Sequence, residues 1–441
     1  MTTVSPWISR FEHIQSENDV ASLSKFVPSP LTDLHLCNIE VACGNLERNF
    51  DQLFIPTSNT NSILKKMHDL AAAHATAVYP DSKTYLKGIY SENELRNETR
   101  PFFLTGPAGV GKSHIIKAYQ RIKPQDSFVH LDGHGKFVMN AAWSIGIKEK
   151  ISPQLALQRL VQRAEAETKK GLSVKECQRI AYRDGISLLL LDELQFLSQS
   201  KASTLITSLL TIFTYIGLPT IFVANFSLGH KLKKRAQESK QRFLSHPLLL
   251  LPDPPESQDW QDTLLGYVDI APETFQIDSV ESALTIHNWC AGLKRLLKDL
   301  FLIAYRTARA DNRKIVNIND FKSAYLSTEY SEHRLDVRDM QTQALNGAPE
   351  KRLDLYCPFE LPPSRAAADK ERAREARLTE ASEQIREQNL SIAERKALKS
   401  HENSKAKEER QRNTLRVGKN KTPVSLDAFR KGDDIFLQQQ K

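Results

Sequence analysis

Eight consecutive residues, Gly106-Pro107-Ala108-Gly109-Val110-Gly111-Lys112-Ser113, have the types and spacing needed to bind a chain of phosphates. They fit G-x-x-x-x-G-K-[ST], a phosphate-binding loop. Its glycines let the backbone wrap an anion with N–H groups turned inward. A helix opening behind the loop would present its positive N-terminus to the same anion. Lys112 would reach the β- and γ-phosphates and the Ser113 hydroxyl would ligate Mg2+. His114 completes the expected nucleotide-binding set.

A second chemical signal is Asp192-Glu193, closing the apolar run Leu188 to Leu191. Asp192 would hold the metal directly or through water. Glu193 would orient and deprotonate a water attacking the γ-phosphate. Three further residues fit the same reaction. Asn225 closes the apolar run before it and can hold the lytic water. Arg242 precedes a further apolar run and can reach a neighbouring subunit's γ-phosphate, with Arg235 and Lys240 as competitors. Arg295 ends the spacing Gly292-x-x-Arg295 and can point back at the nucleotide.

Such groups need a rigid frame. Short apolar runs at 99–106, 127–133, 186–193, 218–225 and 248–252 read as strands, with helical segments between them at 113–122, 151–170 and 203–217. Strands alternating with helices predict an α/β fold with a parallel five-stranded sheet. The leucine run before Asp192 is continuous, as a strand buried on both faces requires. A helix is also expected over 58–78, capped by Ser58 or Thr60. After about residue 255 only helical patterns follow. The expected organisation is an N-terminal arm over 1–45 with little core of its own, an α/β domain over 46–255, a helical lid over 256–330, an extension over 331–365 and a charged helical or disordered tail over 366–441.

The 441 residues carry 61 Lys and Arg against 53 Asp and Glu, a net charge of +8. Nineteen of those basic and 13 of those acidic residues lie in 365–441, so the tail holds +6 and the rest only +2. The tail's last apolar residues, Val424, Leu426, Phe429, Ile435, Phe436 and Leu437, look like a short docking motif. No apolar run approaches the roughly 20 residues of a membrane span, and the N-terminus shows no secretory pattern. Five scattered cysteines form no C-x-x-C pair, which suits a reducing cytoplasm rather than a disulfide framework.

Taken together, the phosphate loop, Asp192-Glu193, Asn225, Arg242 and Gly292-x-x-Arg295 resemble the AAA+ ATPases. The strings IPTSNTNSILKKMHDL, GLPTIFVANFSLGHKL, QRFLSHPLLLLPDPPESQDW and LDLYCPFELPP make residues 45–359 similar to the longer members of the TnsC/TniB family of transposition regulators. This resemblance implies ATP and Mg2+ as cofactors and a bacterial, cytoplasmic protein that joins the nucleoid when active. It implies assembly on double-stranded DNA as a ring or helical homo-oligomer of six or seven subunits per turn. It also implies recruitment by a target selector of the TnsD/TniQ type, recruitment in turn of the transposase TnsB and the endonuclease TnsA, and reset by ATP hydrolysis.

In related ATPases the element after the second strand faces DNA, which here maps to 133–150. The candidate phosphate contacts are Lys136, Lys148 and Lys150, with Arg163, Lys169 and Lys170 on the following helix. Contacts of this kind carry no base code. The basic run 231–242 is a further candidate, for DNA or for a subunit interface. A replication initiator or helicase loader would share every catalytic residue; a winged-helix pattern after Tyr330 would favour it, and none is evident. A non-catalytic scaffold need not keep Lys112, Asp192 and Glu193 together.

Overall fold

In the computed structural model, residues 5–90, 99–147, 152–161, 172–194, 203–347 and 352–389 are described. The chain divides into two units, Met1–Ala373 and Arg374–Lys441. The first opens with helices α1 (Pro6–Ser9), α2 (Glu17–Ser24), α3 (Ile39–Gln52), α4 (Ser58–Val78) and α5 (Ser82–Tyr90). The α/β part follows as β1 (Phe102–Gly106), α6 (Lys112–Ile122), β2 (Ser127–Leu131), β3 (Gly135–Met139), β4 (Ala142–Gly146), α7 (Pro153–Val161), α8 (Val174–Arg183), β5 (Leu188–Asp192), α9 (Ser203–Thr214), β6 (Thr220–Asn225), α10 (Phe226–Lys233), α11 (Gln237–Phe243) and β7 (Pro247–Leu249). Helices α12 (Gln258–Val268), α13 (Ala283–Cys290), α14 (Lys294–Ala310), α15 (Ile318–Leu326) and α16 (Ser331–Asn346) follow, and the unit ends within α17 (Pro363–Asn389).

The main sheet is parallel, in the order β4-β5-β6-β1-β7. Its leucine strand explains the continuous apolar run: Leu188 and Leu190 enter one core cluster, Leu189 and Leu191 the other. Successive side chains point to opposite faces, so a strand covered on both sides needs apolar residues at every position. Phe103 of β1 stacks on Phe222 of β6 (centroids 4.5 Å apart) on one face, and Leu104 joins the opposite cluster.

The five-stranded sheet agrees with expectation, but one of its strands differs. Ser127–Leu131 pairs antiparallel with Gly135–Met139 as a separate hairpin. The fifth place goes to Ala142–Gly146, in the segment expected to face DNA. Asp132-Gly133 between the paired runs is a hairpin signal that identifies the local partner. The edge strand was inconspicuous because its exposed positions are Ser144 and Gly146, which have little strand preference. Helix α4 is capped by Thr57, with Thr60 closing the capping box from the third helical position, rather than by Ser58 or Thr60.

The N-terminal segment also differs from an arm with little core. Trp7 is fully buried against Tyr85 (centroids 4.2 Å apart), and Phe11, Ile14, Val20, Leu34 and Leu46 join the same core cluster. Helix α3 packs on α14, where Phe50 meets Phe301 edge-on, and Phe50 also stacks on Tyr267 of α12. Nor is Tyr330 a break in packing: it is fully buried, and its hydroxyl donates to the carbonyls of Trp289 and Leu296. Spacing alone does not distinguish a sparsely apolar segment that lies on another element's core from one that lies on nothing. Ile14→Ala should therefore cost about 2 kcal/mol or more in denaturant unfolding. A change within about 0.5 kcal/mol, as for a surface position, would mean the segment is unpacked.

Between α16 and α17, residues 352–362 form a strap back across the α/β part. Tyr356 accepts at its carbonyl from His230 of α10 (3.0 Å), and the Phe359 ring meets Phe103 edge-on. Among the described residues no helix is long and apolar enough to cross a membrane. Arg374–Asn389 continue α17 within the second unit. The expected docking motif lies outside the described residues.

Candidate nucleotide site

Gly106 ends β1 in register with Asn225 at the end of β6. Both therefore stand at the carboxyl edge of the sheet, where open α/β folds bind ligands. No side chain fits at Gly106, since a Cβ would lie 2.2 Å from the Leu250 carbonyl oxygen. Gly109 has φ +86°, and a Cβ there would press on Arg295 at 3.0 Å. The loop then feeds directly into α6, whose first turn, from Lys112 to His114, lines the cavity beyond it.

That cavity, of ≈290 Å³, is lined by Ala108, Gly109, Gly111, Lys112, Ser113, His114, Asp192, Asn225 and Arg295. The expected residues are thus brought together from four elements. Gly106, Pro107 and Val110 shape the loop without lining the cavity, and Glu193, whose Oε2 is buried, does not line it either. The buried Lys112 ammonium donates to the Gly106 and Pro107 carbonyls, at 3.0 and 2.8 Å. Burial pushes it down to about 7, opposed by the Asp192 carboxylate. Burial likewise pushes the His114 imidazole down to about 4, helped by Lys294 and Lys117. A neutral His114 contacts the Asp51 carbonyl at 3.2 Å through Nε2.

Asp192 and Glu193 sit where β5 ends. The Asp192 carbonyl accepts from Ile147, and Leu194 donates to Val223 of β6, so the strand end is tied on both sides. Asp192 Oδ1 accepts from the Glu193 N–H at 2.7 Å. Glu193 itself has φ +61°, a left-handed conformation costing roughly 1–2 kcal/mol for a residue with a Cβ. Such local strain concentrates at functional sites, where the surrounding structure holds it.

The helical part contributes from above. The Arg295 N–H donates to the Gly109 carbonyl at 3.0 Å, placing the start of α14 directly on the phosphate loop. Arg242 does not line the cavity: its guanidinium lies over the Tyr215 and Phe243 rings, 5.4 and 5.5 Å from their centroids.

Residues absent from the expected set also line the site: Phe50, Asp51, Tyr267, Lys294 and Lys298. Lys294 adjoins Arg295, and Lys298 follows one helical turn later, so their shared face was legible from spacing. Phe50 stacks on Tyr267 with centroids 4.9 Å apart. Neither this pair nor Asp51 carried a local signal, because their elements are distant in sequence. Lys112, Lys294, Arg295 and Lys298 outnumber the lining carboxylates Asp51 and Asp192, an excess of basic groups that suits a polyphosphate, although Lys298 is itself paired with Glu47 and Asp51.

The hard oxygen donors Ser113 and Asp192 fit Mg2+, an ion that keeps several waters and leans on substrate phosphates rather than on an all-protein cage. Among the described residues no group of three or more His, Cys, Asp or Glu is placed to hold a metal. Of the candidate DNA contacts, Lys136 is exposed on the β2–β3 hairpin, its Nζ 3.7 Å from the Phe128 ring centroid. Lys148, Lys150, Arg163, Lys169 and Lys170 lie outside the described residues.

Residues 96–232 match the AAA domain family. Among solved structures, the chain is similar to the Aeropyrum pernix ORC2 protein in ADPNP–ADP complexes, at 12% identity over 76% of this chain and 98% of that one, with a TM-score of 0.42. It is similar to Aeropyrum pernix ORC1 in complex with DNA, at 18% identity over 65% and 68%, with a TM-score of 0.39. It is similar to the Thermotoga maritima RuvB Holliday junction branch migration motor, at 14% identity over 66% and 76%, with a TM-score of 0.36. No curated protein matches the sequence. With the phosphate loop, Asp192, Glu193 and Asn225 all inside the matched span, the chain carries an AAA domain and is an ATPase.

Proposed function

We propose that this ATPase is a TnsC-type regulator of DNA transposition, which assembles on duplex DNA with ATP, links a target selector to a transposase, and is reset by hydrolysis. The observation that carries the nucleotide switch is the convergence of Lys112, Asp192, Asn225 and Arg295 on one cavity between the sheet and the helical part. The transposition role rests on the sequence resemblance over residues 45–359.

In this reading Lys112 and the start of α6 hold the β- and γ-phosphates, and Tyr267 and Phe50 flank the base end. Ser113 and Asp192 hold Mg2+, which when bound neutralises charge developing on the phosphate oxygens. Glu193 takes the proton of the attacking water, and Asn225 keeps that water in line. Arg295 approaches the γ-phosphate from the same chain. Arg242, turned away from this chain's own cavity, fits a role at a neighbour's γ-phosphate; Arg235 remains its competitor.

Lys136 supplies one phosphate contact to the DNA. A basic side chain repeated around an oligomer gives a grip that one nearly neutral body lacks. TnsB, TnsA and a TnsD/TniQ-type selector are the partners this reading names.

Electron microscopy of the full chain with duplex DNA and a slowly hydrolysed ATP analogue tests it. Protein-coated duplex is expected, and Lys136→Ala should weaken it with less salt dependence. Isolated monomers would overturn the assembly. Coated duplex that fails to recruit TnsB would overturn the transposition role and leave an initiator or loader.

A further inference from the structure

Arg295 faces a chain of charges that leads away from the nucleotide cavity and back to the phosphate loop. Its Nη2 lies 3.9 Å from Oδ2 of Asp336 on α16. The other oxygen of that carboxylate, Oδ1, accepts from Nη1 of Arg352 at the start of the strap. Arg352 in turn grips Asp354 through two parallel bonds, Nε to Oδ1 and Nη2 to Oδ2, each 2.9 Å. The Asp354 carbonyl then accepts from the Ala108 N–H of the phosphate loop at 3.3 Å. Charges alternate along the whole path, and Asp336 is only 7% exposed.

The contacts differ in strength. Arg352 is committed: it holds Asp354 bidentately and bonds Asp336, so its position holds one oxygen of the Asp336 carboxylate. Its bonds to Asp354 raise the guanidinium further, and they hold Asp354 below the usual carboxylate range although burial would raise it. The Arg295 contact is loose, since 3.9 Å is beyond hydrogen-bond reach. A carboxylate at that distance biases the arginine's head group without sequestering it. The base of the side chain is confined too, because Arg295 Cβ and Nε pack against Gly109.

We propose that Asp336 is a positioning residue for Arg295, set in place by Arg352, so that the docked strap tunes hydrolysis at the phosphate loop. An arginine carries about 2 kcal/mol of rotamer entropy, and a guanidinium already aimed at the γ-phosphate loses less of it in the transition state. The strap is the control point because it is also held to the α/β part away from the phosphate loop. Tyr356 bonds His230, Phe359 packs on Phe103, and Pro358 lies so close to Gly229 that a Cβ there would come within 2.7 Å of it. This inference rests on the reading of Arg295 given above.

The test is a double-mutant cycle on the full chain, reading steady-state ATP hydrolysis and ADP affinity. Asp336→Asn should lower kcat about tenfold with ADP affinity unchanged. In an Arg295→Ala background the same substitution should change kcat by less than about twofold, because nothing remains to position. Arg352→Met should behave like Asp336→Asn. Gly229→Ala, which must displace Pro358, should lower kcat only while Arg295 is present. Parent kcat in Asp336→Asn, losses that multiply with that of Arg295→Ala, or a parallel loss of ADP affinity would overturn the proposal. Should Asp336→Asn fail to fold, Arg352→Met carries the same cycle from a side chain that is 37% exposed. If Arg295→Ala hydrolyses ATP at the parent rate while the other variants do not, the earlier reading of Arg295 has failed, and the positioning role with it.

Discussion

Glu193→Gln is expected to lower ATP turnover by roughly 10²–10⁴-fold while leaving ATP binding in place, the loss typical of removing a general base. Glutamine has the same length and shape, so the left-handed backbone at φ +61° and the N–H bond to Asp192 Oδ1 are not asked to change. Only the ability to accept a proton from water is lost. Single-turnover hydrolysis, together with binding of a fluorescent ATP analogue, separates the two effects. Under the proposed function the variant should also stay on DNA as an ATP-bound oligomer. Hydrolysis at the parent rate would remove Glu193 from the mechanism.

Lys112→Ala should weaken ATP binding by roughly 10–100-fold, the value of a charge-assisted bond to phosphate. The parent should also show a pH dependence that the variant lacks. Without nucleotide, burial holds the Lys112 ammonium near 7. Phosphates can only raise it, since they favour the charged form. Binding therefore takes up a proton wherever the pH exceeds the free value. Affinity is full below about pH 7 and falls by up to about tenfold per unit above it, until the bound-state value is reached. Titration calorimetry at about pH 7 and about pH 9, in buffers of different ionisation heat, measures both affinity and proton uptake. Equal affinities with no uptake would show that Lys112 is already fully charged before the nucleotide arrives.

Much of the site was legible because its chemistry is local. Gly106 to Ser113 must form a loop between a strand and a helix, and Asp192 must end a strand buried on both faces. Those demands show directly in residue types and in an unbroken apolar run. Ser127–Leu131 was legible as a strand but its sheet was not, because its partner decides that, and Ala142–Gly146 gave little strand signal, its exposed positions being Ser144 and Gly146. The N-terminal segment looked coreless for a related reason: Trp7, Phe11 and Ile14 fill a core built mainly by other elements.

The sequence by itself determined the phosphate loop, the acidic strand end, the α/β frame and a charge surplus concentrated in 365–441. Each is written in neighbouring residues, and short-range spacing is what a chain specifies without folding. Only the tertiary structure decided that Phe50 and Tyr267 would wall the cavity, that Arg242 would turn away from it, and that Asp336 and Arg352 would stand behind Arg295. Those contacts join residues far apart along the chain. Their geometry follows from how helices pack on the sheet, which no local pattern encodes.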